Sequence, residues 1–191
     1  MNLYLDRSLD KESMVKRMND YIFHAINNVA NKSSLLDGVM IVISKYGPYI
    51  SILVLGSILI LGLYKKKRRP VQYATETLII TIISMILSFI IGKVFYVDRP
   101  FVKNKVNLLI DHKSNASFPS NHAMGTMSIA VGLFSFDNLI GMFLTFLSIM
   151  VGIARIYVGN HYPLDVIGGY VLVFIVNYIY KKYIRKFIVT D

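Results

Sequence analysis

Apolar residues gather along this chain in five runs, at 48–64, 73–92, 123–136, 139–156 and 164–180, with short polar breaks between them. A helix needs about 20 residues to cross a hydrocarbon core about 30 Å thick. The second run meets that length with ease. The third is short and follows a polar segment, which predicts a helix whose N-terminal end is recessed below the membrane surface. The expected fold is therefore all-α: a polytopic membrane helical bundle with five clear transmembrane helices.

The N-terminal part has a different pattern. "MVKRMNDYIFHAINNVA" mixes charges with apolar residues at helical spacing, as an amphipathic helix at the membrane interface does. "SSLLDGVMIVISKYGPY" is apolar but short, with Ser33 or Ser34 as cap and Gly47-Pro48 as an expected breaker. It reads as half a span or an interfacial helix, and is the candidate for a sixth crossing. The expectation is one membrane-embedded domain over 1–191, with an N-terminal region at 1–47 and a helical core at 48–184.

Composition agrees with that class. Of 191 residues, 54% are hydrophobic, too many for an ordinary soluble domain. There is no cysteine, which excludes disulfides and thiolate metal sites. The formal net charge is +10. In a membrane protein such an excess reports orientation and contact with anionic lipid, so no nucleic-acid partner is expected.

The charges also orient the chain. "KKKRR" at 65–69 follows the first sure span and "KKYIRK" at 181–186 follows the last. Four spans separate them, so they share a side, and the positive-inside rule makes that side cytoplasmic. The loop 95–121 and the turn 157–162 then face outward. The outer loop nonetheless carries Arg99, Lys103, Lys105 and Lys113. Cations placed against the rule would be explained by an anionic ligand on that face; the plainer reading is a solvated loop.

Three polar clusters fall at the outer ends of spans. They are "GKVFYVDRPF" with Lys93 and Arg99, "SFPSNHAMG" with Ser120, Asn121 and His122, and "ARIYVGNHYPLD" with Arg155, His161 and Asp165. Topology places all three at one depth on one face. Three fixed cations suit a phosphate or diphosphate, which Arg grips bidentately. Ser120 reads as a helix cap, and the helix start behind it supplies free backbone N–H groups for an anion. Pro163 favours a second helix start. His161 and Asp165 are then one turn apart, so the carboxylate can accept the imidazole N–H and raise the basicity of the other nitrogen. That arrangement makes His161 a nucleophile or base, with His122 as general acid. Two His and an Asp also suit zinc, but Lys93, Arg99 and Arg155 would repel a cation, so neither metal nor cofactor is expected.

Taken singly, each residue has a plainer reading. Lys93 would be an interface anchor, Ser120 a cap, Asp165 a dipole partner, and Arg155 the ion-pair partner of Asp165 or Asp98. Their convergence at one depth is what points to a site. His24 and His112 lack such company.

These clusters resemble the three signature motifs of the type 2 phosphatidic acid phosphatase superfamily, K-x6-R-P, P-S-G-H and S-R-x5-H-x3-D. They stand here as Lys93…Arg99-Pro100, Pro119-Ser120-Asn121-His122 and Ala154-Arg155…His161…Asp165. There are three departures: five residues separate Lys93 from Arg99, Asn121 replaces the motif glycine, and Ala154 replaces a serine. Length, the P-S-N-H variant and the shortened first motif are most similar to the branch that hydrolyses undecaprenyl diphosphate and is linked to bacitracin resistance.

The resemblance implies that His161 attacks phosphorus to form a phosphohistidine, that Asp165 orients it, and that His122 protonates the leaving oxygen. It implies that Lys93, Arg99, Ser120, Asn121 and Arg155 hold the phosphoryl oxygens. The expected activity is hydrolysis of undecaprenyl diphosphate at the outer face of a bacterial plasma membrane, recycling the cell-wall lipid carrier. The alternatives are a phosphatidylglycerophosphate or phosphatidic acid phosphatase, a lipid phosphotransferase, and, outside enzymes, a transporter or structural protein with an anion site.

Overall fold

The computed structural model describes the backbone of residues 2–188 and the side chains of 14–187. The element order is α1 (Asn2–Asn27), α2 (Ser34–Tyr64), α3 (Arg68–Val94), α4 (Pro100–Lys103), α5 (Asn121–Phe134), α6 (Asn138–Tyr157) and α7 (Pro163–Ile179). A π-helical turn (Tyr180–Ile184) and α8 (Arg185–Ile188) follow.

The ends of these helices are written locally. Ser33 is extended and its hydroxyl accepts from the Leu36 N–H, starting α2. Asp137 does the same for α6, accepting from Leu139 and Ile140 at 2.9 and 3.0 Å. Lys66, at φ 51°, closes the tight turn between α2 and α3. Loops this short make α2 and α3, and likewise α5 and α6, antiparallel neighbours.

Four stretches are long and apolar enough to cross a membrane: α2, α3, α6 and Pro163–Phe187. The third apolar run forms α5, only 14 residues long. At 1.5 Å per residue it rises about 21 Å, short of the hydrocarbon thickness. It is the central helix, packed by α3, α6, α7 and α2.

One expectation is corrected. Gly47-Pro48 does not break the chain, because α2 runs unbroken from Ser34 to Tyr64. Pro48 removes one backbone donor, a loss that a helix surrounded by neighbours tolerates. Residues 34–47 are thus the N-terminal part of the first long helix. The first break between helices falls at 28–33, between α1 and α2. The last turns of α1 pack on the C-terminal end of α6 and the N-terminal end of α7: Asn27 donates to the carbonyls of Asn107 and Tyr157, and Phe23 packs on Tyr162.

The interior inverts the soluble pattern. Large side chains such as Leu53, Ile60, Phe89, Phe146 and Phe174 face outward, where lipid covers them. Small polar ones line the helix contacts: Thr126 bonds Ser148 at 2.7 Å across α5–α6, and Ser128 bonds Thr81 at 3.0 Å across α5–α3. Gly152 lets α6 lie directly against Val166 and Tyr170 of α7, where any Cβ would collide. This brings the C-terminal end of α6 against the N-terminal end of α7.

Candidate active site

The turn between α6 and α7 is folded back on itself. The N–H groups of Asn160 and His161 both donate to the Arg155 carbonyl, at 3.1 and 3.3 Å. Gly159 makes this possible at φ +85°, and a Cβ there would lie 2.9 Å from the Asn107 carbonyl. Pro163 opens α7 at its first position, as the sequence predicts. Asp165, in the first turn, accepts the Tyr162 N–H at 2.8 Å. His161 is thereby held between the two helices, 1% exposed.

Its two ring nitrogens face different chemistry. Nδ1 lies 3.5 Å from Asp165 Oδ2 and 3.4 Å from Ser117 Oγ. Nε2 lies 3.0 Å from Nη1 of Arg99. An arginine can only donate, so Nε2 carries the lone pair and Nδ1 the proton. Burial, reinforced by Arg99 and Arg155 and opposed by Asp165, lowers the His161 pKa to about 4. The ring is therefore neutral at physiological pH.

Arg99 caps α4, with Pro100 behind it. Its guanidinium is 3% exposed and donates to the carbonyls of Asn115, Ala116 and Asn160 and to Asn115 Oδ1. Burial lowers its pKa to about 10, against the pull of Asp165, and it stays charged. Arg155, near the end of α6, is 2% exposed. It donates from Nη1 to Ser44 Oγ at 3.1 Å, while Nε and Nη2 have no protein partner. It pairs with neither Asp165 nor Asp98; Asp98 instead binds Lys103.

At the start of α5, Ser120 occupies the cap position but its hydroxyl caps nothing; the buried Oγ has no partner. Its backbone N–H donates to the Asp165 carbonyl at 3.1 Å, fastening α5 to α7. His122, on the first turn of α5, is half-buried and lines a cavity of about 310 Å³. Pro48, Ile52, Met85, Gly125 and Ile129 make that cavity largely apolar. Asn121 is exposed, and its Oδ1 accepts from Ser88 at 2.5 Å.

Arg99, Ser120, Arg155, His161 and Asp165 are thus brought together, with His122 on the α5 side. Lys93 is not: it is exposed, with its ammonium 4.4 Å above the Phe89 ring. Three residues were missed from the sequence. Ser117 bonds Asp165, Ser44 holds Arg155, and half-buried His112 lies within electrostatic reach of Arg99 and Arg155, which help burial to lower its pKa. Ser44 is 111 positions from its partner, so no spacing in the sequence could signal it.

Chemically, buried donors without protein partners beside a neutral imidazole form a seat for an anion whose centre the imidazole can attack.

The chain matches the PAP2 superfamily over residues 73–188. It is 34% identical over 166 residues to the undecaprenyl-diphosphatase BcrC of Bacillus subtilis, covering 87% of this chain and 84% of that protein. It is also 34% identical over 158 residues to an undecaprenyl-diphosphatase of Sulfolobus acidocaldarius, covering 79% of this chain and 71% of that one. The crystal structure of Aquifex aeolicus LpxE superposes with a TM-score of 0.70 at 26% identity, covering 87% of this chain and 96% of that one. A PAP2-type phosphatidylglycerolphosphate phosphatase of Bacillus subtilis shares the fold, with a TM-score of 0.63 at 22% identity, covering 89% of this chain and 88% of that one. The chain belongs to the PAP2 superfamily, as a multi-pass membrane lipid phosphatase.

Proposed function

We propose that the protein hydrolyses undecaprenyl diphosphate to undecaprenyl phosphate and inorganic phosphate through a phosphohistidine intermediate. The observation that carries the chemistry is the polarity of His161: Nε2 bears a lone pair, and Nδ1–H faces Asp165. The substrate follows from relatives that bear this name and cover most of the chain.

In the first step Nε2 of His161 attacks the terminal phosphorus and the bond to the bridging oxygen breaks. His122, protonated once the anionic substrate is seated beside it, gives that proton to the bridging oxygen, which leaves as the lipid monophosphate. In the second step His122, now the base, takes a proton from water, whose oxygen attacks phosphorus. The P–N bond breaks and phosphate departs. Arg99, the free Nε and Nη2 of Arg155, Ser120 Oγ and the N–H groups at the start of α5 hold the phosphoryl oxygens. Positioning and charge stabilisation of this kind carry most of the catalysis in phosphoryl transfer.

The cavity beside His122 supports a lipid leaving group. Its volume is at the small end for ligand pockets, enough for the chain segment next to the phosphate, with the rest of the chain left in the bilayer. The basic turn at 65–67 and the C-terminal basic stretch lie at the end opposite the site, which supports an extracytoplasmic site in a bacterial plasma membrane and a role in recycling the carrier. Purified protein offered undecaprenyl diphosphate, phosphatidylglycerophosphate and phosphatidate tests the reading. Phosphate release is expected fastest from the polyprenyl diphosphate; release from the glycerolipids alone would refute it.

A further inference from the structure

We propose that Ser117 is a positioning residue, which holds the Asp165 carboxylate so that His161 keeps its attacking nitrogen free. Ser117 lies in the outer loop, fully buried, three residues before Ser120. Its backbone N–H donates to the Val97 carbonyl at 2.8 Å, which ties the loop to the exit of α3. Its hydroxyl donates to Asp165 Oδ2 at 2.5 Å, across 48 residues of sequence. The same carboxylate oxygen accepts the Tyr162 N–H.

The consequence lies in the count of protons. A serine hydroxyl has one proton, and this one is given to Asp165. The side of Oγ that faces His161 Nδ1, at 3.4 Å, is therefore a lone pair. Nδ1 also faces Oδ2 at 3.5 Å. The imidazole thus meets two acceptors at nearly equal distance, and its Nδ1–H is shared between them. Arg99 meets Nε2 as an obligate donor on the other side. The two constraints select one tautomer.

The hydroxyl has a second effect. By donating to Asp165 it takes up part of the carboxylate charge, so less is available to an imidazolium. The other ionisable groups that face His161 are Arg99 at the start of α4, Arg155 from α6 and His122 from α5, and none of these supplies negative charge. Removing the hydroxyl leaves Asp165 as the sole acceptor for Nδ1–H and strengthens its hold on a protonated ring. The His161 titration then moves to higher pH, and the nucleophile is lost earlier as pH falls.

The catalytic part rests on the phosphohistidine reading, whereas the ring state does not, so both are measured. The chain has four histidines, which makes nitrogen-15 NMR of the imidazoles tractable in the intact protein in detergent. Wild type is expected to show His161 with Nδ1 protonated and Nε2 bare. Ser117→Ala is expected to keep the same tautomer, since Arg99 still donates to Nε2 and Asp165 still accepts from Nδ1, and to titrate at higher pH. On lipid diphosphate its kcat falls about tenfold, the worth of one hydrogen bond, with KM little changed and the acid limb moved upward. Ser117→Thr, which keeps the hydroxyl, restores both. Ser117→Cys, near in size and a weaker donor, shifts both in smaller measure and carries the comparison if the alanine variant does not stay folded. An unchanged His161 titration in Ser117→Ala and Ser117→Cys overturns the proposal even if activity drops. Altered ring states in a protein that releases no phosphate from any lipid would overturn the functional reading and leave the positioning role standing.

Discussion

Nη1 of Arg99 lies 3.0 Å from Nε2 of His161, so the guanidinium and the nitrogen proposed to attack phosphorus are in direct contact. A phosphoryl group seated on Arg99 would therefore lie beside the proposed nucleophile. Arg99→Gln removes the charge and this placement together, and is expected to lower kcat/KM by about 10² to 10³, the cost of losing one transition-state donor. Steady-state phosphate release in detergent micelles checks it; a loss under tenfold would place Arg99 outside the reaction.

The hydroxyl of Ser44 holds Nη1 of Arg155. It leaves the other guanidinium nitrogens for the substrate. Ser44→Ala frees the side chain to take other rotamers, which is expected to lower kcat about tenfold, the net value of one hydrogen bond. Arg155→Lys should cost more, since an ammonium gathers its three N–H groups on one atom and cannot span the distance from Ser44 to a phosphoryl group as the planar guanidinium does. Kinetics of both variants side by side give the ranking.

Lys93 sits over Phe89, away from the buried cations. It is expected to draw anionic substrate to the mouth of the site and to contribute little once the substrate is seated. Lys93→Ala should raise KM severalfold, with an effect that shrinks in high salt, and leave kcat within about twofold. A large fall in kcat at unchanged KM would place Lys93 on the transition state.

The pH dependence of stability follows from His161. Its folded pKa, about 4, lies below the ordinary value of 6.5. Between those values the unfolded chain binds a proton that the folded one refuses, so stability is full above pH 6.5 and declines as pH falls toward 4. His161→Gln has no such proton to take up. Thermal unfolding in detergent at pH 7 and pH 5 should therefore show a larger drop for wild type than for the variant.

Much of this was legible in the sequence because it is periodic or local. The apolar runs marked α2, α3, α6 and α7, and Pro163 with Asp165 marked a helix start beside His161. The shortness of α5 was legible in the length of its run. What was missed depends on contacts between distant segments. Ser117 and Asp165 meet because Ser117 is tied to Val97 and Ser120 to Asp165, and neither tie has a spacing of its own. Gly47-Pro48 looked like a break because a local rule was applied to a helix that its neighbours support. Lys93 was expected in the site from its position at the end of α3; helix geometry instead turns it toward Phe89, one turn back.

The proposed reaction turns on a covalent bond between phosphorus and His161. Wild type quenched within milliseconds of mixing with undecaprenyl diphosphate labelled in its terminal phosphate should carry an acid-labile, base-stable label. The label should map to the peptide containing His161 and be absent from His161→Asn. Phosphate release by His161→Asn at a wild-type rate, or label mapped to any other residue, would contradict the account.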